Sequence, residues 1–289
     1  MLIESELRLV GRNRTLINKQ PVRQSRDLQD SLLVTVFSPD DLSLVKGGPA
    51  ERRKYLDLLL ADHDLKSAST QRDLERVLKQ RSTLLRQSNG RISPEIAATL
   101  DVWDAKFSEF GELLGSQRAE LVVQIQPLVQ YFYRTLAIES AGVEAEDISI
   151  GLSMVTDWRI EDGGKGLSEA LIANRTADVA RGVTSVGPHR DELTLTISGL
   201  PARTHASQGE QRTLALAMRL AGHVLLTQKV GAPPILLLDD VFSELDQKRS
   251  KALFNALPEG QALLTTASPL PDGVAPNSVI SIEYGSILQ

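Results

Sequence analysis

Ile235-Leu236-Leu237-Leu238-Asp239-Asp240 is the stretch that decides the fold. Four consecutive large apolar residues predict a short strand buried on both faces, as in a parallel sheet covered by helices. The two carboxylates fall at the C-terminal end of that strand, where open α/β sheets bind ligands. Asp239 suits a hold on Mg²⁺, which prefers oxygen ligands. Asp240 stands where a carboxylate can polarise an attacking water. A strand that simply ends in Asp-Asp before a loop explains these six residues equally well, so the flanking segments have to decide.

Upstream, Ser207-Gln208-Gly209-Glu210-Gln211 opens a helix predicted from Ser207 to about Lys229. Ser207 and Glu210 fit a capping box, which by itself needs no function. The same helix start presents backbone N–H groups to an anion, and Gly209 lets a phosphate approach closely. Downstream, Ser243-Glu244-Leu245-Asp246 follows the strand directly. A helix over 246–256 and strands over 262–266 and 279–284 complete an alternation that predicts a parallel sheet.

Toward the N-terminus, residues 2–37 read as short strands, with Leu7 and Leu9 alternating, a turn at Asn18-Lys19, and a denser strand from Leu32 to Phe37. From Pro49 the pattern becomes helical. Leu74, Val77, Leu78, Leu84 and Leu85 line one stripe of a helix over 66–87, which Ser88-Asn89-Gly90 ends. Ser93 and Pro94 start a second helix whose stripe runs from Ile96 through Trp103, Phe107 and Leu121 to Ile125, and Pro127 is predicted to kink or end it. That helix measures on the order of 50 Å. The two helices predict an antiparallel arm. Beyond it come a strand at Ile148 to Leu152, a helix over 167–180 and a strand through Leu193, Leu195 and Ile197. The expected organisation is an α/β head made of 1–49 and 138–289, interrupted by a helical domain over 50–137.

Composition narrows the function classes. There is no cysteine and there are four scattered histidines, which excludes disulfides and thiolate metal sites. No apolar run reaches the length of a membrane span, and Glu4, Glu6 and Arg8 spoil the start as a signal peptide. A cytoplasmic location with no membrane contact is expected. The net charge of −5 argues against a nucleic-acid binder, but it is unevenly spread. Residues 1–91 carry 17 Lys/Arg against 12 Asp/Glu, and the remainder 15 against 25. The basic half is where phosphates would be met.

Taken in order, Ser207–Gln211, Leu236–Asp240 and Ser243–Asp246 resemble the signature, Walker B and D-loop series of ABC-type ATPases, in the SMC-like DNA-repair branch. Phe37-Ser38-Pro39-Asp40-Asp41-Leu42, Lys46-Gly47, Glu51-Arg52-Arg53-Lys54-Tyr55-Leu56-Asp57 and Thr184-Ser185-Val186-Gly187-Pro188-His189-Arg190-Asp191-Glu192 resemble segments typical of the RecF family. The resemblance runs from about Arg14 to the end. It implies an ABC-type ATPase head with an inserted antiparallel helical arm, a weak ATPase that dimerises on ATP, binds single-stranded and gapped DNA, and aids RecA loading with companion mediator proteins in recombinational repair and the SOS response. It also implies roles. Ser207, Gln208, Gly209 and Glu210 meet the partner subunit's ATP, Ser243 and Asp246 form the D-loop, Asp239 assists Mg²⁺ and Asp240 activates water. Arg52, Arg53 and Lys54 are candidates for DNA phosphates. His189, Arg190 and Asp191 form a motif without an assigned role. Chemistry alone allows His189 and Arg190 to face an anion and Asp191 to pair with Arg190, or a tight turn feeding the next strand.

One departure matters as much. A Walker A loop needs two glycines and Lys-Ser/Thr at fixed spacing. The Gly-Lys pair here, Gly164-Lys165, is followed by Gly166, and Arg159 stands where the first glycine belongs. In the family that loop lies upstream of the opening strands, so an N-terminally truncated chain is expected. Thr265 and Thr266 replace the switch histidine of many ABC ATPases. The alternative function is a DNA-binding or interaction protein with no ATPase activity of its own. A transport ATPase is disfavoured by the long arm.

Overall fold

The computed structural model describes residues 2–11, 13–22, 28, 32–141, 147–160, 163–267, 269–270 and 274–288. At the centre of the head, strand β8 (Ile235–Asp239) lies between β4 (Val34–Phe37) and β9 (Ala262–Thr265). Both pairings are parallel, with Val34 opposite Ile235 and Leu237 opposite Leu263. Leu236 and Leu238 are buried, whereas Ile235 and Leu237 are only half-buried, so the strand is sealed on one face and partly covered on the other. The expected α/β class with a parallel sheet is found.

The N-terminal strands form a separate antiparallel sheet of β1 (Ile3–Glu6), β2 (Arg14–Ile17) and β3 (Gln20–Pro21). The alternation at Leu7 and Leu9 does not extend β1. Both side chains are fully or almost fully exposed, with no core beneath them. A third sheet joins β5 (Ile150–Val155) to β6 (Glu192–Ile197) and β7 (Leu200–Pro201), all antiparallel. In β6, Leu193, Leu195 and Ile197 point into the core as their spacing predicts. The last predicted strand is shorter than expected. β10 (Ser281–Glu283) turns at Tyr284-Gly285, both with positive φ, into β11 (Ser286–Leu288). Positive φ at both turn residues is the two-residue hairpin geometry.

Helix α1 (Ser43–Lys46) leads to α2 (Pro49–His63), α3 (Leu65–Gln87) and α4 (Pro94–Ala141). Asp64 caps α3 by accepting from the backbone N–H groups of Lys66 and Ser67. α4 has 48 residues and continues past Pro127, where the sequence reading expects it to kink or end. Proline removes one backbone bond there. Packing overrides that loss, because Val122, Ile125, Val129, Phe132 and Tyr133 are all buried around it. The helix is thus about 72 Å long, not 50.

α3 and α4 form the expected antiparallel pair, but burial does not follow the 50–137 boundary. One core joins Tyr55, Leu56 and Leu59 of α2 and Leu114 to Leu136 of α4 with the head strands. Only the outer part of the arm has its own small cluster, Leu85, Leu100 and Val179, the last from α5 (Leu167–Arg181). After α6 (Ala202–His205), α7 (Gln208–Val230) packs along α4 and against β4, and α8 (Gln247–Asn255) follows the short turn after β8.

Candidate functional site

The N-terminus of α7 is built by its sequence. Ser207 keeps extended geometry, its Oγ accepts from the Glu210 N–H at 3.3 Å, and Glu210 Oε2 accepts from the Ser207 N–H at 2.7 Å. This reciprocal pair satisfies two backbone donors and leaves the N–H groups of Gln208 and Gly209 without a helical partner. Gln211 anchors the start from below, donating from Nε2 to the Ala202 and Arg203 carbonyls at 3.0 and 3.1 Å. The exposed Ser207 and Gln208 precede Gly209, over which the Arg249 guanidinium lies. A Cβ at Gly209 would stand 2.8 Å from Arg249 Nη1. Arg249 is held by Asp246 at 2.9 Å, and Asp246 also caps α8. One arginine thus joins signature and D-loop. The sequence reading missed it, although its place three residues after the cap is a legible signal.

The paired carboxylates leave the sheet together but in different states. Asp239 Oδ1 accepts from Thr265 Oγ1 at 2.7 Å, across the β8–β9 pairing. Asp240 takes the left-handed conformation, φ 49°, ψ 28°, which Asp tolerates better than most residues. Its N–H bonds to Thr265, and its Oδ2 accepts from Ser243 Oγ at 2.9 Å. Its Oδ1 is buried and has no partner among the described residues. Such an atom costs free energy unless something in the working complex donates to it. Among the described residues no cluster of three or more metal-type side chains exists. Two adjacent carboxylates still fit Mg²⁺, which takes one or two protein oxygens and completes its shell with water and phosphate.

The 184–191 segment lies at the root of the arm. Arg81 reaches it from α3 through Thr184 Oγ1 at 2.8 Å, Arg53 from α2 through the Asp191 carbonyl at 2.6 Å, and Arg118 from α4 through the Pro188 carbonyl at 2.7 Å. Gly187 is required here. Its φ is 124°, and a Cβ would lie 2.6 Å from the Phe107 ring. Asp191 pairs with Trp158 Nε1 at 2.8 Å, not with Arg190 as the residue types allow. Its other oxygen is buried and has no partner among the described residues, and burial raises its pKa to about 6. His189 is half-buried, stacks edge-on against Phe107 at 5.8 Å and bonds through Nε2 to the Thr184 carbonyl. Burial pushes its pKa down, so at neutral pH it offers no charge to an anion.

No protein-family model matches the chain. It is 38% identical to the DNA replication and repair protein RecF of Streptomyces avermitilis over 295 aligned positions, spanning 99% of this chain and 78% of that protein. The chain belongs to the RecF family. Two solved structures of the recombination mediator protein RecF in the RecFOR pathway, described as RecF-ATPrS and RecF-ATP, superpose with TM-scores of 0.80 and 0.81. They are 25% and 24% identical, and the match covers 99% of this chain and 75% and 74% of theirs. The fold is therefore the RecF head, an ABC-type ATPase architecture with a helical arm.

Within this RecF fold the basic triplet of α2 behaves differently from the expectation. Arg52 is buried, 5% exposed, and forks onto Glu192 at 2.7 and 3.0 Å while bonding to the Leu44 and Gly47 carbonyls. Every side of its guanidinium is occupied within the fold, so it is not placed to meet a DNA phosphate. Arg53 is half-buried and tied to the motif segment, which leaves Lys54 as the exposed member. The Gly164-Lys165-Gly166 stretch is no phosphate cradle either. The Gly164 and Gly166 N–H groups bond to the carbonyls of Arg159 and Trp158 at 2.7 and 2.8 Å.

Proposed function

We propose that this RecF-family protein contributes one face of a composite nucleotide site to a dimer assembled on single-stranded or gapped DNA. It would act with companion mediators to aid RecA loading in recombinational repair and the SOS response, in the cytoplasm. The observation that carries the reading is the start of α7. It is a reciprocally capped helix whose Gln208 and Gly209 N–H groups have no helical partner. A helix N-terminus of this kind favours an anion through its unbonded donors and its dipole. No helix among the described residues is long and apolar enough to cross a membrane.

Mg²⁺–ATP, when bound, supplies the phosphoryl group and its divalent countercharge. Ser207 and Gly209 would face the terminal phosphate of a nucleotide held by a partner subunit, and Glu210 holds the Ser207 backbone in place. Asp239, steadied by Thr265, would supply the oxygen donor to Mg²⁺. Asp240, its Oδ1 unpartnered, orients and deprotonates water. Ser243 and Asp246 carry the D-loop, with Ser243 fixing the Asp240 carboxylate and Asp246 fixing Arg249. A second reading is a DNA-binding subunit without its own ATPase activity.

The test is to titrate this chain, and its Ser207→Arg variant, into an ATPase assay of a RecF-family subunit that carries a Walker A loop. The unaltered chain should suppress turnover by forming mixed dimers with a single complete site. Ser207→Arg should suppress far less, because a bulky cation replaces the cap hydroxyl. Equal suppression by both removes the signature helix from the mechanism. No effect from either supports the second reading.

A further inference from the structure

Gly209 lies in the first turn of α7 with an ordinary helical backbone, not a left-handed one, so conformational freedom does not call for a glycine there. Space does. The three atoms nearest to a Cβ built on Gly209 are Nη1, Nη2 and Cζ of Arg249, at 2.8, 2.9 and 3.0 Å. The two nitrogens and the carbon between them are nearly equidistant, so the whole guanidinium fork covers the glycine. A side chain at 209 and the fork in its present place exclude each other. The sequence reading gives the room left by the missing side chain to an approaching phosphate. In the folded subunit, a guanidinium of the same chain fills it.

A surface ion pair does not account for this placement. The bond from Arg249 to Asp246 is an i,i+3 contact with a half-exposed carboxylate, a type of small worth. Arg249 Nε is buried and has no partner among the described residues. The residue stands in the first turn of α8, where a cation opposes the helix dipole. What the position does provide is a junction. Asp246 ties the guanidinium to the D-loop, and its fork lies on the signature start. Tyr133 of α4 is buried beside them. Burial raises its phenol pKa, Glu210 raises it further and Arg249 lowers it, so both charges are within its electrostatic reach. α4 packs along both α7 and α8. A flat, delocalised guanidinium can stack on a peptide while bonding sideways to a carboxylate, which a lysine ammonium cannot do.

We propose that Arg249 is a positioning residue of the composite nucleotide site. Seated on Gly209 and tethered to Asp246, it holds the signature start and the D-loop at a fixed spacing, so that both meet a partner subunit's nucleotide as one rigid edge. This rests on the composite-site reading above and adds the group that sets the geometry of this chain's side of it. Arg249 acts through the two segments and leaves the phosphate to them. Glycine at 209 is then needed for the fork as well as for the phosphate.

The test is a double-mutant cycle on assembly, read without turnover. This chain is labelled, and its binding to a RecF-family subunit that carries a Walker A loop is followed by fluorescence anisotropy in a non-hydrolysable ATP analogue. Arg249→Ala should weaken the mixed dimer about 10-fold, the size expected for coupled groups in contact. Gly209→Ala should weaken it by a similar factor, because its methyl group evicts the flexible end of Arg249. The double variant should be no weaker than either single, about 10-fold and not about 100-fold. Arg249→Lys keeps the charge but has no fork, and should behave like Arg249→Ala. In the free chain, amide hydrogen exchange over 207–211 and over 243–246 should speed up together in Arg249→Ala. A near-native melting temperature for each variant is the control for folding, and Gly209→Ala tests the contact should Arg249→Ala unfold. Additive losses would give the glycine to the phosphate alone and overturn the proposal. Full binding by Arg249→Lys, or unchanged exchange in either segment, overturns it too. A mixed dimer insensitive to Arg249→Ala removes the proposal and leaves the composite site standing. No mixed dimer from the unaltered chain removes the composite-site reading, and this proposal with it.

Discussion

Arg81→Met tests whether the arm is held to the head by a buried ionic knot. Arg81 is 0% exposed and gives Nε to Asp104 at 2.6 Å, and Nη1 to Asp178 and Thr184 at 2.8 Å each. These contacts join α3, α4, α5 and the 184–191 segment at one point. Removing the guanidinium does not affect both acids equally. Asp104 keeps Arg175 at 2.6 Å, whereas Asp178, itself fully buried, keeps only the Ser185 N–H and hydroxyl at 3.0 and 2.6 Å. Breaking a buried pair from one side costs about 3–5 kcal/mol, because a charge is left without its partner. For a chain of this size that lowers the melting temperature by about 10 °C. Urea unfolding measures the loss. Adding Asp178→Asn should recover part of the loss, since no unpaired charge remains. A loss under about 1 kcal/mol, or no recovery on adding Asp178→Asn, would refute the reasoning.

Three further outcomes are expected. Asp191→Asn keeps an oxygen for Trp158 while removing a carboxylate whose pKa is raised to about 6. The raised pKa means that the folded state binds a proton the unfolded state has released, so the parent loses stability as pH rises from about 4 to 6, by on the order of 3 kcal/mol, and the variant's melting temperature should be flatter over that window. Pro127→Ala restores one backbone bond inside α4 and should raise stability by about 1–3 kcal/mol in urea unfolding, and a loss would show that the proline ring is needed for packing. Arg52→Gln should destabilise by about 2–4 kcal/mol through Glu192 and the Leu44 and Gly47 carbonyls, with the salt slope of DNA binding unchanged, and a shallower slope would return Arg52 to the DNA face.

Local chemistry made much of this protein legible in one dimension. The strand at 235–239, the capped helix at Ser207 and the antiparallel helices rest on periodicity and cap residues, which act over a few neighbours. The order of Ser207–Gln211, Leu236–Asp240 and Ser243–Asp246 pointed to ABC-type ATPases, and Phe37–Leu42, Glu51–Asp57 and Thr184–Glu192 to the RecF family, because each motif is short and contiguous. Tertiary structure decided what depends on distant partners. Pro127 is an interruption in sequence, yet packing on both sides of it carries α4 through. Arg52 and Lys54 look alike in a basic run, yet one is consumed by Glu192, 140 positions away, while the other faces water. Asp191 takes Trp158, 33 positions away, over its neighbour Arg190. A charge in sequence is only a valence. Whether it is spent inside the fold or offered to a ligand is set by which remote groups the chain brings within hydrogen-bond reach, and local patterns hold no information on that distance.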